Sequence, residues 1–68
     1  MINASISQRE LEVLNLIAFE YTAKEIADRL YISINTVKTH KRHLQEKLDV
    51  RNVAGLVRRG FELGFLAA

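Results

Sequence analysis

The sequence predicts an all-α fold, a single small domain of four helices. The 68 residues include no proline and only three glycines, so little interrupts a helix. Apolar residues recur at helical spacing, and no segment alternates with a period of two for long enough to be a strand. The length allows one domain, over residues 1–68, and no second one.

Composition excludes several functional classes. Hydrophobic residues make up 49% and charged residues 26%, a globular balance that argues against disorder. No apolar run approaches the roughly 18 residues that cross a bilayer, and the first ten residues lack the pattern of a secretory signal. We therefore expect a cytoplasmic protein without a membrane segment. Cysteine is absent, which excludes disulfides and thiolate metal sites.

The first two helices each begin at a capping box, a hydroxyl residue followed three positions later by glutamate. Ser7 and Glu10 predict a first helix over about 8–19, and Thr22 and Glu25 predict a short second helix over about 23–30. The apolar positions of the first helix are Leu11, Leu14, Ile17 and Ala18.

The third helix is predicted over 34–48, with Ser33 as its N-cap. On a helical wheel, Val37, Leu44 and Leu48 form a narrow apolar stripe. The opposite side is polar and carries Asn35, Thr39, Arg42 and Glu46, with Lys38 and His43 at its edges. A fourth helix is predicted over about 52–63, ended by Gly64 in a left-handed cap; its apolar stripe is Val53, Leu56, Val57, Gly60 and Phe61.

Basic charge is concentrated on the third helix. The formal net charge of the chain is only +2. Residues 1–32 carry a net −2 and residues 49–68 a net +1, whereas residues 33–48 hold four cations and one acid, a net +3. This distribution suits a polyanionic partner, although a solvated helix face would give the same pattern.

The short second helix, the break at Tyr31 and Ile32, and the serine cap of the third helix form the layout of a helix-turn-helix. Ala27 provides the small side chain that two closely crossing helices need. The free N–H groups at the start of the third helix suit a phosphate. The polar face behind that cap fits the DNA major groove, which is wide enough for one helix.

Five segments closely resemble the LuxR-type DNA-binding domain, which also ends bacterial response regulators of the NarL/FixJ type. They are I-S-x-R-E-x-E-V-L at 6–14, L-I-A at 16–18, T-x-K-E-I-A at 22–27, L-Y-I-S-x-x-T-V-K-T-H at 30–40 and K-L-x-V at 47–50. Each segment alone is weak evidence, but the five occur in order over nearly the whole chain.

The resemblance implies site residues. The base-facing positions match Lys38, Thr39 and Arg42. The positions that contact phosphates or the groove edge match Lys24, Ser33, Asn35, Thr36, His40 and Lys41. The fourth helix of such domains commonly pairs two copies on two half-sites, and the candidate dimer residues are Val57, Phe61, Phe65 and Leu66. Within this set we assign Phe61 to the core and Phe65 and Leu66 to the interface.

The sequence departs from the family pattern at four positions. Glu20 and Asp49 stand where the family usually has glycine, and aspartate tolerates that backbone geometry at some cost. Ala23 replaces a frequent asparagine, so one backbone contact is missing. Val53 lies near a frequent arginine.

Several residues keep two interpretations. Arg42 either pairs with guanine O6 and N7 or contacts a phosphate, Lys38 can do either, and Thr39 either meets a thymine methyl or phosphate or is an idle surface residue. His40, His43 and Glu46 recur every three residues, but successive members rotate around the helix by about 60°, which makes a shared metal site geometrically poor. We interpret Gly60 as a packing glycine.

Three functional hypotheses follow. The first is sequence-specific binding of double-stranded DNA by a bacterial transcription regulator, as a homodimer, with RNA polymerase left open as a further partner. The second is a promoter-reading domain of a sigma factor, and the third is a helical protein-interaction module. No serine, histidine and carboxylate are spaced for catalysis, so we expect no enzyme, no cofactor and no small-molecule ligand within the chain.

Overall fold

A computed structural model describes residues 5–67, so residues 1–4 and 68 of the predicted domain lie outside the described part. Four helices follow one another: α1 (Gln8–Ala18), α2 (Ala23–Leu30), α3 (Ile34–Lys47) and α4 (Val53–Glu62). No strand occurs within the described range. The all-α prediction is confirmed, and each helix end lies within one residue of its predicted position.

Every helix begins at a side-chain cap. The hydroxyls of Ser7 and Thr22 accept from the backbone N–H groups of Glu10 and Glu25, and both glutamates bond back to the cap residue. Both capping boxes are therefore confirmed. Ser33 caps α3, and the Asn52 side chain accepts from the Gly55 N–H at 2.9 Å to cap α4. Such caps satisfy backbone N–H groups that have no partner inside the helix.

All four helices also end alike, with an N–H group bonding the carbonyl five residues earlier. These bonds run from Tyr21 to Leu16, Ile32 to Ala27, Val50 to Gln45 and Phe65 to Gly60, at 2.9 to 3.1 Å. The residue before each donor adopts a left-handed backbone, with φ of 67° at Glu20, 57° at Tyr31, 56° at Asp49 and 82° at Gly64. Only Gly64 adopts this backbone without steric cost; the other three pay about 1–2 kcal/mol each.

The core lies between α1 and α3, each of which contacts the other three helices, whereas α2 and α4 do not contact each other. Nine buried apolar residues form it: Val13, Leu14, Ile26, Ala27, Val37, Leu44, Leu48, Leu56 and Leu66. Val37, Leu44 and Leu48, the predicted inner stripe of α3, are at most 1% exposed. Ala27 is buried at the α2 end of this core, as the helix-turn-helix layout predicted.

The C-terminal turn corrects two assignments. Leu66 is 6% exposed and lies over Gly60, where an added Cβ would meet Leu66 Cδ1 at 2.8 Å. The prediction of Leu66 in a dimer interface is therefore wrong, because its side chain fills the core space that Gly60 leaves. Phe61 was assigned to the core, but it is 44% exposed. Gly60 is a packing glycine, as predicted. Along residues 5–67, no helix combines the length and apolar character needed to cross a membrane.

Candidate nucleic-acid interface

The start of α3 is open to solvent and chemically suited to an anion. Ser33 Oγ accepts from the Thr36 N–H at 3.0 Å and lies 2.9 Å from Thr36 Oγ1. Ser33, Ile34 and Asn35 are exposed. The positive end of the helix dipole and the first backbone N–H groups therefore face water.

The outer face of α3 is exposed along its length. Asn35, Lys38, Thr39, Arg42 and Glu46 are all exposed, as the helical wheel predicted. In residues 5–67, the side chains of Lys38, Thr39 and Arg42 form no hydrogen bond or ion pair. Two cations and a hydroxyl can thus bind a ligand without breaking a hydrogen bond or an ion pair.

The predicted backbone-contacting residues surround this face. Thr36, His40 and Lys41 are half-buried at its edges, whereas Lys24 is exposed on α2. The Lys24 ammonium lies 3.6 Å from Asp28, and both side chains are more than 70% exposed. Such a solvent-exposed pair is worth little, so Lys24 can exchange this partner for another anion.

A hollow of about 340 Å³ connects the start of α2 with the side of α3. Its wall includes Ala23 from α2, Lys38 and Lys41 from α3, and Val53 from α4. The first turn of α2 therefore lies beside the cationic face. Ala23, one of the positions where the sequence departs from the family pattern, and Val53 are apolar parts of this wall.

One side of α4 is apolar and exposed. Val53 is 38% and Phe61 44% exposed, and Val57 and Phe65 are half-buried. Val53, Val57 and Phe61 recur every fourth residue and so share one side of the helix. Of the predicted dimer residues, Phe61 is exposed, Val57 and Phe65 are half-buried, and Leu66 is buried; a contact between two copies stays a prediction.

Glu10 has a second role, beyond capping α1, that the sequence did not predict. This carboxylate is 4% exposed, and its Oε1 accepts from Lys47 Nζ at 2.6 Å and from the Ser7 N–H at 2.9 Å. Its Oε2 lies 4.0 Å from His43 Nδ1. Lys47 and His43 belong to α3, so one acid of α1 faces two basic residues of that helix. The available signal was position, because Glu10 lies four residues before Leu14 on the buried side of α1.

Burial by itself raises the pKa of Glu10, but the hydrogen bonds from Lys47 and Ser7 and the Lys47 charge outweigh burial and hold the pKa below its ordinary value of 4.5. Glu10 is therefore a carboxylate at neutral pH. His43 faces Glu10 rather than a shared site with His40 and Glu46. Over the part of the chain that the structure describes, no group of three histidine, aspartate or glutamate side chains is placed to hold a metal ion.

The chain is similar to proteins of a known family. Residues 4–59 match the family described as "Bacterial regulatory proteins, luxR family". The oxygen regulatory proteins NreC of Staphylococcus carnosus (strain TM300) and Staphylococcus haemolyticus (strain JCSC1435) are each 48% identical over 52 residues. That stretch is 76% of this chain and 24% of each NreC protein, so the chain spans about a quarter of the length of these relatives.

Solved structures share the fold. The transcription factor GerE superposes with a TM-score of 0.87 at 31% identity, over 91% of this chain and 92% of its own. The response regulator ChrA of a heme-sensing two-component system gives a TM-score of 0.89 at 29% identity, over 97% of this chain and 33% of its own. These matches support the first of the three functional hypotheses. The chain belongs to the luxR family of bacterial regulatory proteins and is a DNA-binding domain of that type.

Proposed function

We propose that this domain binds double-stranded DNA in a sequence-specific manner with α3 in the major groove. The observation that carries the proposal is the outer face of α3, where Lys38, Thr39 and Arg42 are exposed and unpartnered behind an open helix start. The groove is wide enough for one helix, and a guanidinium fork matches guanine O6 and N7. In this proposal these three residues face the bases.

The surrounding residues hold the backbone. Phosphate contacts carry no sequence information, but they set register and orientation. We assign this role to Lys24, Ser33, Asn35, Thr36, His40 and Lys41. The start of α2 and the side chains of Lys38 and Lys41 line the same open hollow, so the start of α2 lies on the side of α3 that carries these cations. In this proposal the start of α2 and Lys41 contact the DNA backbone.

Two copies bind together in this proposal, through the exposed apolar side of α4 formed by Val53, Val57, Phe61 and Phe65. Apolar side chains that share one helix face and remain exposed in a single copy are typical of a surface that is covered on assembly. The target is then two half-sites related by a two-fold axis. A further solved structure, that of VqmA, superposes with a TM-score of 0.85 at 28% identity, over 96% of this chain and 28% of its own, and is described as a complex with ligand and DNA.

For the whole protein, we propose a cytoplasmic transcription regulator, with RNA polymerase left open as a further partner. The relatives named NreC and ChrA are described as a regulatory protein and a response regulator, and both are several times longer than the matched stretch. A domain that binds chromosomal DNA works where bacterial DNA lies. The apolar hollow is not assigned a small-molecule ligand.

Selection of bound sequences from a random duplex pool tests the proposal. We expect enrichment of a palindrome with two half-sites about ten base pairs apart. With about eight phosphate contacts per dimer, log Kd against log salt should have a slope of about 7 in magnitude. A single unpaired half-site would contradict the dimer. No enrichment together with a flat salt response would contradict DNA recognition itself.

A further inference from the structure

We propose that Glu10 is a positioning residue for DNA reading: it sets the rotation of α3 about its own axis by binding Lys47 and facing His43. The inference depends on the proposed function, in which the outer face of α3 contacts the bases. Glu10 itself is buried on α1 and has no access to DNA. It acts through α3.

The geometry joins the first turn of α1 to the last two turns of α3. Glu10 Oε1 binds Lys47 Nζ at 2.6 Å, and Oε2 lies 4.0 Å from His43 Nδ1. Lys47 and His43 are one helical turn apart, so the two oxygens of one carboxylate face two successive turns. The Ser7 N–H also donates to Oε1 of this carboxylate at 2.9 Å, which fixes the carboxylate relative to the start of α1.

The contact of Glu10 with Lys47 adds a directional restraint on the rotation of α3 to the packing of the apolar core. Leu44 and Leu48 bury α3 against α1, but apolar contacts have no preferred direction. A roll of about 15° moves a side chain about 6 Å from the helix axis by about 1.5 Å. Functional contacts require placement within about 0.5 Å. A directional, charge-assisted bond at the edge of the buried stripe restricts that roll.

Arg42 shows why the roll matters. It directly precedes His43, so the residue that we assign to the bases and a residue that faces Glu10 are neighbours in α3. Any rotation that lengthens the Glu10 contact also moves Arg42. The positioning role therefore concerns the choice of DNA sequence and not only the stability of the domain.

Two substitutions with opposite changes of charge test the role. Glu10→Gln keeps the capping function, because glutamine also serves at this position of a capping box, and it adds one unit of positive charge. Lys47→Met keeps the length of the side chain and removes one unit. Binding is measured to the selected duplex and to an unrelated duplex, at a temperature where circular dichroism shows each variant to be folded.

We expect both variants to lower the ratio of specific to unrelated affinity about five- to tenfold. A purely electrostatic effect would raise the affinity of Glu10→Gln for DNA and lower that of Lys47→Met. A fall in the ratio of specific to unrelated affinity in both variants therefore identifies positioning. The specificity ratio of the double variant should fall no further than that of the worse single variant, because both substitutions remove the same contact. Lys47→Arg should restore the ratio, because a guanidinium also binds a carboxylate.

Leu16→Ala is the control. Leu16 is half-buried on α1, away from the ion pair, and its loss should lower the melting temperature without changing the specificity ratio. If Glu10→Gln and Lys47→Met behave like Leu16→Ala, Glu10 only stabilises the fold and the proposal is overturned. If the unsubstituted chain selects no duplex, the proposed function fails instead. The two failures can be distinguished, because this one is seen in the unsubstituted chain and the other only in the variants.

Discussion

The two faces of α3 differ in everything except the backbone they share. The inner face, formed by Val37, Leu44 and Leu48, is at most 1% exposed and packs against the rest of the core. The outer face carries Lys38 and Arg42, which are exposed and have no partner within residues 5–67. In the proposed function, stability depends on the inner side chains of this helix and DNA reading on the outer ones, so the outer side chains can be changed while the fold is kept.

The largest effect is expected on the inner face. Leu44 is 0% exposed, so Leu44→Ala removes buried methyl groups and leaves a cavity. We expect the free energy of unfolding to fall by about 2–5 kcal/mol, measured by urea denaturation. DNA binding should be lost in parallel with folding. A folded Leu44→Ala domain with unchanged stability would contradict the division between the two faces.

Arg42→Ala tests the outer face. The expected loss is about 1–3 kcal/mol of discrimination at one base pair in each half-site, and the free energy of unfolding should stay within about 0.5 kcal/mol. Dissociation constants on duplexes with single base changes provide the measurement. Lys24→Ala is the matched control, since a lost phosphate contact should weaken all sequences alike. Equal weakening of all duplexes by Arg42→Ala would make Arg42 a backbone contact.

Asp49 ends α3 with a φ of 56°, a left-handed backbone that glycine adopts freely. We expect Asp49→Gly to raise the free energy of unfolding by about 1 kcal/mol and to leave the specificity ratio unchanged. Thermal and urea unfolding measure the gain. Gly64→Ala, which places a side chain at a φ of 82°, should have the opposite effect.

Acid should lower the stability of the fold by protonating Glu10, which contacts the edge of the inner face of α3. Because the folded-state pKa of Glu10 lies below its ordinary value of 4.5, this carboxylate stabilises the fold above that value, and the stabilisation is lost as the pH falls through the lower pKa. Unfolding of the original chain and of Glu10→Gln is compared between about pH 5 and pH 3. The original chain should lose more stability over this range. Parallel curves would show that Glu10 is not the group responsible.

Helix starts were predictable because the signals are local. Ser7, Thr22 and Ser33 cap helices through partners three residues away, which the sequence displays directly. The exposed face of α3 followed from periodicity in the same way. Contacts with the bases and between two copies remain predictions, because they involve molecules that the chain alone does not contain.

The errors arose where distant residues meet. Leu66 was placed outside and Phe61 inside, because the space above Gly60 exists only once α1 and α4 have packed. The second role of Glu10 was missed for a related reason, since Lys47 lies 37 residues away along the chain. Tyr31 was expected in a tight break, but nothing in the sequence indicated its left-handed backbone.

The strained helix ends have a consequence for how this domain can change. Glu20, Tyr31 and Asp49 each occupy a backbone conformation that glycine would adopt with less strain. If distant gains add, replacing all three would yield about 3 kcal/mol of stability. In the proposed function, a change of DNA sequence preference also requires new side chains at the half-buried edges of the outer face, at Thr36, His40 or Lys41, and substitutions there can destabilise the fold. Glycine substitutions at the helix ends would therefore raise the free energy of unfolding enough to offset destabilising changes that give the domain new DNA targets.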